Sequence, residues 1–308
     1  MSIAAVTETI STAHNIRMTP DTIARAAWAT ITTPGDPRAG QLITQLGAEQ
    51  ALAETLTGTT PTVAGVNMPY LRAAVLPEYS ALKVSDVLSE SVERGFTILT
   101  PSHPLWPTPV AGLGSAAPFA LWVRGDNALL STRTVVLTGT RNATGYGRHV
   151  CIDLASGLAE RGYVIASGAS HGIDVAALTS ARASANTPVA LLAGGVDQPV
   201  PAESVDLLAD IAEHGAIVSE LPPGSAPSTW SFVRRNQLLA ALGTKAVIVE
   251  AEYDCAALSV ATTALDLARP CGAIPGLAMS TTSAGCHRLI RDFGAQLVTS
   301  IDDVDDLI

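Results

Sequence analysis

The stretch Thr134–Asp174, TVVLTGTRNATGYGRHVCIDLASGLAERGYVIASGASHGID, decides the fold. Its opening TVVLT is a short β-branched and apolar run, which reads as a buried strand. Gly and small polar residues follow, from Thr138 to Gly147, and mark a strand-to-helix turn. GYGRHVCIDLASGLAERG then has helical spacing, and YVIASG begins a second strand. A strand, a helix and a second strand form the crossover unit of a parallel sheet.

The alternation continues toward the C-terminus. GIDVAALTSARASA, SVDLLADIAEHG, FVRRNQLLAALG and ALSVATTALDLA read as helices, and PVALLAGG, AIVSE, AVIVEA, GAIPG and AQLVTS as strands. Strands that alternate with helices in this way build a mostly parallel sheet covered on both faces, so the expected class is a doubly wound α/β fold.

Upstream the pattern differs. From Pro20 to about Tyr79, DTIARAAWATI, AGQLITQLGAEQALAETL and MPYLRAAVL read as three helices, and SDVLSESVERG as another helical stretch. The segment FTILTPSHPLWPTPVAGLGSAAPFALWVRGD holds too many prolines for a long helix and reads as an extended lead into the sheet. The expected organisation is a small all-helical domain over 1–80, of the SAM-like kind, and a Rossmann-like domain over 81–308 that includes the lead-in segment 95–133.

Composition bounds the function. With 308 residues, 47% hydrophobic and 15% charged, most of the chain is available for burial in folded units. Met1–Arg17 lacks a basic flank followed by an apolar run, and no apolar stretch reaches about 18 residues, so a cytoplasmic protein without membrane contact is expected. Cys151, Cys255, Cys271 and Cys286 show no CxxC spacing, which suggests neither a metal site nor a disulfide framework. The net charge of −10 excludes a broad basic face. The eighteen basic residues are nevertheless all arginine apart from Lys83 and Lys245, and arginine suits forked contacts with phosphate.

In a doubly wound sheet, ligands sit beyond the carboxyl ends of the strands. After the first strand of the quoted stretch stand Gly139, Arg141, Asn142, Tyr146 and Gly147, next to a helix start whose amides suit a phosphate. After the next strand stand Ser167, Gly168, Ser170, His171 and Gly172; Asp174 there reads as a helix cap. Farther on, Trp230, Phe232, Arg234, Arg235 and Asn236 set aromatic faces beside guanidinium groups at a helix start, the ingredients of single-strand binding. Glu250 closes a later strand, where it suits acid/base work, a ribose or a loop arginine. Neither a GxGxxG fingerprint nor a metal-ligand cluster occurs, so no cofactor, metal or catalytic group is expected.

The ordered set GTRNATGYG, SGASHGID, AGGVD, SELPPG, FVRRNQLLAALG, VIVEA, IPG and SAGCHRLI resembles the DprA/Smf family, whose usual forms are GSR..S.YG, SG.ARGID, GSGLD, SE.PPG, FP.RNRIIAGLS, VVVEA..SGSL.TA, VPG and S.G.N.LI. The resemblance runs from about Gly95 to Ile308. It implies a homodimeric protein that binds and protects single-stranded DNA and loads a RecA-type recombinase in DNA uptake, transformation and recombination. By position, Arg141 matches the Arg of GSR, Gly168 and Gly172 the glycines of SG.ARGID, Phe232 the Phe of FP, and Arg235 and Asn236 the RN pair. These residues line the family's DNA pocket.

The chain departs from the family at several positions. Ser170-His171 replaces Ala-Arg, Val233 the Pro of FP, Gln237 the second Arg of RNR, Cys255-Ala256-Ala257 the Ser-Gly-Ser, and His287 the Asn of S.G.N. Arg234 and His171 are the expected partial substitutes for the two lost arginines. From the close on DDVDDLI, the winged-helix tail of many members is expected to be absent. The alternatives are a nucleotide-ligand sensor or nucleotide-processing enzyme on the same fold, and an interaction scaffold with a decayed pocket. The PGG.GT..E signature of the phosphoribohydrolases is missing.

Overall fold

The structure, a computed structural model, describes residues 18–58, 63–184 and 186–308. The reading of Met1–Arg17 therefore lies outside the described residues. The helical region starts at capped, proline-led turns: Thr19, Asp36 and Asn67 each accept a backbone N–H with a side-chain oxygen, at 3.1, 2.9 and 3.1 Å, ahead of a first-turn proline. The helices are α1 (Pro20–Ile31), α2 (Pro37–Leu46), α3 (Ala48–Thr57), α4 (Met68–Val75) and α5 (Ala81–Glu93). The run expected as a single second helix is two, because Gly47 stands between them at φ +80°, outside helical geometry.

The lead-in segment forms β1 (Thr97–Leu99), a 3-10 segment (Thr108–Ala116) and β2 (Leu121–Gly125). Then follow β3 (Thr134–Thr138), α6 (Gly145–Glu160), β4 (Val164–Ser167), α7 (Ile173–Ala183), β5 (Val189–Leu191), α8 (Val205–His214), β6 (Ala216–Ser219) and α9 (Thr229–Leu242). The chain continues with β7 (Lys245–Ile248), α10 (Leu258–Asp266), β8 (Cys271–Ala273), α11 (Ala284–Asp292), β9 (Gln296–Leu297) and α12 (Ile301–Asp305).

The nine strands stand in the order β1-β2-β6-β5-β4-β3-β7-β8-β9. β1 and β2 pair antiparallel, as do β2 and β6, and every other neighbouring pair is parallel. The chain winds outward from β3 in both directions. The strand order reverses between β3 and β7, where Leu137 pairs with Val247 and Thr138 with Ile248. A crevice at the carboxyl ends of these two strands is the place such a sheet offers a ligand.

Period-two alternation sorts the sheet's side chains between its faces. Val135, Leu137, Ile165 and Val247 pack with α6 and α7, through Cys151, Leu154, Leu158, Ile173 and Ala177. Val136, Ala166, Leu191 and Val218 face the other way, onto Leu238 and Leu239 of α9, Val260 of α10 and Leu289 of α11. A third cluster joins Trp28, Leu42, Leu52, Leu71 and Leu88 of the helical region to Trp122, Ala190 and Ile217 of the sheet. α5 thus shares a core with both the helices before it and the strands after it.

Candidate nucleic-acid interface

Backbone and side-chain ties at the β3–β7 reversal hold two loops against each other. Thr140 donates its N–H to the Glu250 carbonyl at 2.7 Å, and Ile173 donates to the Thr140 carbonyl at 3.1 Å. Thr138 donates its hydroxyl to Asp174 at 2.6 Å, and the Ser170 N–H reaches the other Asp174 oxygen at 3.1 Å. Asp174 therefore ties β3 and the loop after β4 to the first turn of α7. Gly172, at φ +77°, passes so close to the Thr140 and Arg141 carbonyls that a Cβ would overlap them.

These ties enclose a cavity of about 280 Å³, lined by Thr138, Gly139, Thr140, Arg141, Asn142, Ser170, Asp174, Phe232, Arg235, Asn236, Glu252 and Cys255, with Ala256 and Ala257. Phe232, half-buried at the start of α9, supplies its aromatic wall. The Arg141 guanidinium carbon lies 5.3 Å from the centre of that ring and the Arg235 carbon 5.8 Å. Residues 94 positions apart thus reach one ring.

The two arginines have different surroundings. Arg141 is exposed, and its guanidinium makes no hydrogen bond or ion pair among the described residues. Arg235 is buried: it donates to the carbonyls of Gly168 and Leu191, the latter at 3.3 Å, and to the Ser170 hydroxyl at 3.2 Å. Its closest carboxylate is Asp174, at 3.9 Å. Burial draws its pKa below the ordinary arginine value, Asp174 opposes that shift, and the neighbouring charge of Arg141 adds to it. Gly168 has no Cβ because Arg235 occupies that space.

Arg234, one residue earlier on α9, does not reach this cavity. Its guanidinium is buried against Glu220 at 3.2 Å and donates to the Ala116 carbonyl at 2.8 Å and to Gln237 at 2.6 Å. The expected substitution of a lost pocket arginine by Arg234 is corrected on this geometry. Trp230 is also set apart from Phe232: its indole is exposed and its N–H donates to the Pro34 carbonyl at 3.2 Å.

The other expected residues divide among bracing and two neighbouring hollows. Ser167 is buried and donates to the Leu137 carbonyl at 2.6 Å. Asn236 lines the cavity while its amide donates to the Ala256 carbonyl at 3.1 Å and to Ser259 at 2.9 Å. Glu250 is buried and braces the start of α6, accepting the Thr144 N–H at 2.9 Å, its hydroxyl at 2.7 Å and that of Thr282 at 3.2 Å. A Cβ on Gly147 would collide with it, and one on Gly139 would overlap the Glu250 carbonyl.

Tyr146, with Thr144, Glu250, Pro275 and Leu277, lines a separate hollow of about 620 Å³ and donates its hydroxyl to the Pro275 carbonyl at 2.8 Å. On the other flank, Arg141 and Asn142 also border a groove of about 1150 Å³ between α6 and α7. Arg148 and exposed His171 lie along it, His171 at 3.8 Å from Glu203.

Glu252 and Asp174 line the cavity without being singled out for it in the sequence, and Cys255, one of the departures from the family's motifs, lines it too. Glu252 accepts the Thr140 hydroxyl at 2.7 Å. Its place just beyond a strand's carboxyl end was the available signal. Burial pushes the Cys255 thiol up, so it stands there as a protonated, poorly nucleophilic group. Among the described residues no group of three His, Cys, Asp or Glu is placed to hold a metal ion, and no helix is long and apolar enough to cross a membrane.

Residues 97–308 match the family model described as DNA recombination-mediator protein A. A Mycobacterium tuberculosis relative named as a DNA processing protein DprA is 41% identical over 238 residues, 73% of this chain. The chain spans about three fifths of that relative's length, 61% of it. The solved structure of DNA processing protein A from Streptococcus pneumoniae superposes with a TM-score of 0.76, at 24% identity, over 94% of this chain and 98% of the other. DNA processing protein A from Helicobacter pylori, a protein described with a single-stranded DNA binding mode, gives a TM-score of 0.62 at 28% identity, over 69% of this chain and 97% of its own. With more than half of its residues matched, the chain belongs to the DNA recombination-mediator protein A family.

Proposed function

We propose that the chain binds single-stranded DNA at the Arg141–Phe232–Arg235 cavity and presents it to a RecA-type recombinase during DNA uptake and recombination, as a homodimer in the cytoplasm. The observation that carries the binding step is Arg141, exposed and uncommitted beside a half-buried aromatic ring at the sheet's reversal point. A guanidinium so placed takes a phosphate, and the ring takes the face of an unpaired base. A duplex keeps its bases stacked, and a cavity of about 280 Å³ has no room for a base pair. The groove that Arg141 shares with Arg148 and His171 gives the strand a path away from the cavity. The RecA and homodimer assignments rest on the sequence resemblance, and the division at residues 80 and 81 on the change of pattern along the sequence.

Binding without catalysis is the reading this chemistry favours. Both Glu250 oxygens are engaged in bracing, and the Cys255 thiol is held protonated. The cavity's small size favours a second reading, a site for a free mononucleotide. Anisotropy titrations with labelled oligo-dT, with blunt duplex of the same length and with unlabelled mononucleotide as competitor separate these. The single-strand reading predicts tighter binding to oligo-dT than to duplex, undisturbed by millimolar mononucleotide, and equal or tighter duplex binding contradicts it.

A further inference from the structure

We propose that Glu252 makes this site read base identity, with guanine preferred to thymine; the inference rests on the reading that an unpaired strand enters the cavity. A phosphate pocket has no electrostatic use for a carboxylate. Yet Glu252 is on the cavity wall together with Arg141 and Phe232. Its Oε1 accepts the Thr140 hydroxyl at 2.7 Å, and Cys255 lines the same cavity. A carboxylate has about four lone-pair positions, so acceptor capacity remains for N–H donors that enter the cavity.

The nucleobases differ in what they offer such an acceptor. Guanine presents N1–H and the N2 amino group side by side, spaced for the two oxygens of one carboxylate. Cytosine and adenine each present a single amino group beside an acceptor nitrogen. Thymine presents only N3–H, flanked by two carbonyl oxygens that the carboxylate repels. With the base against Phe232 and its phosphate on Arg141, the ring edge faces groups on the remaining wall, where Glu252 is the one carboxylate not already tied to both Thr138 and the Ser170 N–H, as Asp174 is. Glu252 is a specificity residue in this account, separate from its tie to Thr140.

The test is a set of labelled single strands of about 15 nucleotides, all thymine or with dispersed guest positions carrying guanine, hypoxanthine, adenine or cytosine. They are titrated against the full chain and against E252Q. Guanine guests tighten binding about tenfold over thymine, the discrimination of a two-bond base contact. Hypoxanthine, which lacks the N2 amino group, falls between the two. E252Q keeps an oxygen for Thr140 but replaces one acceptor with a donor, and its guanine gain drops below about twofold. A purely bracing Glu252 would alter affinity for every oligomer alike. Measurable binding by the unaltered chain that does not distinguish guanine from thymine overturns the inference and leaves the single-strand reading standing. Absence of binding to every oligomer overturns both. The hypoxanthine comparison needs no variant, so a misfolded E252Q does not decide the outcome.

Discussion

Arg141 and Arg235 share the Phe232 ring at 5.3 and 5.8 Å, one exposed and unpaired, the other buried under the Gly168 and Leu191 carbonyls and the Asp174 carboxylate. The same charge on the same ring therefore has two uses. Arg141 is available to a ligand, whereas Arg235 holds together the loops that shape the cavity.

Replacing Arg235 with Ala consequently acts on the fold first. It leaves Asp174 buried beside an emptied space and removes the donors from the Gly168 and Leu191 carbonyls. Breaking a buried pair of this kind costs about 3–5 kcal/mol. Denaturant unfolding of Arg235→Ala measures that loss, and stability within about 0.5 kcal/mol of the parent would refute the bracing role.

Gly172 gives a second structural prediction. Gly172→Ala combines a backbone at φ +77° with overlap on the Thr140 and Arg141 carbonyls. The expected loss is about 2–4 kcal/mol, more than either strain or contact alone. Gly162→Ala, also at positive φ but with open space around its Cβ, isolates the strain component and loses about 1 kcal/mol. Equal losses at the two positions would show that the Gly172 contact carries no weight.

Acid stability depends in part on Asp197. Burial alone would raise its pKa, but the Gly224 N–H, Gln198 and Arg94 bond to its carboxylate and outweigh burial, leaving it below the ordinary value. A carboxyl whose folded pKa is lowered stabilises the fold above its unfolded pKa, about 3.9, and loses that contribution as pH falls through the folded value. Asp197→Asn is therefore less stable than the parent at neutral pH, and the gap narrows below about pH 4. Unfolding curves at pH 7 and in the acid range check this, and a gap that does not change with pH contradicts it.

The sequence made the doubly wound sheet legible because its strands and helices differ sharply in period. The stretch from Val135 to Asp174 alternates in β-branched runs and 3.6-residue runs without ambiguity. The placement of Arg141 and Phe232 followed from the strand ends and the motif order. The difference between Arg234 and Arg235 did not, since neighbours on a helix point about 100° apart and only the packed fold tells which one faces the sheet's reversal. The apolar spacing continues across Gly47 and hides the break, while its φ of +80° ends one helix and begins another. The place of Glu252 is not legible in the sequence because its partner Thr140 is 112 positions away.

The central claim, that Arg141 contacts the phosphate of an unpaired strand, is tested most directly by titrating oligo-dT with the parent and Arg141→Ala at two salt concentrations, with thermal unfolding on the same samples. Arg141→Ala is expected to unfold with the parent, bind weaker by about 1–3 kcal/mol, and lose about 0.7 from the slope of log affinity against log salt. The parent slope itself stays no steeper than about −3, as few cations face the cavity. Arg38→Ala, whose arginine pairs with Asp36 at 2.7 Å in the helical region, leaves DNA affinity unchanged. A folded Arg141→Ala that binds oligo-dT with the parent's affinity and salt slope would contradict the account.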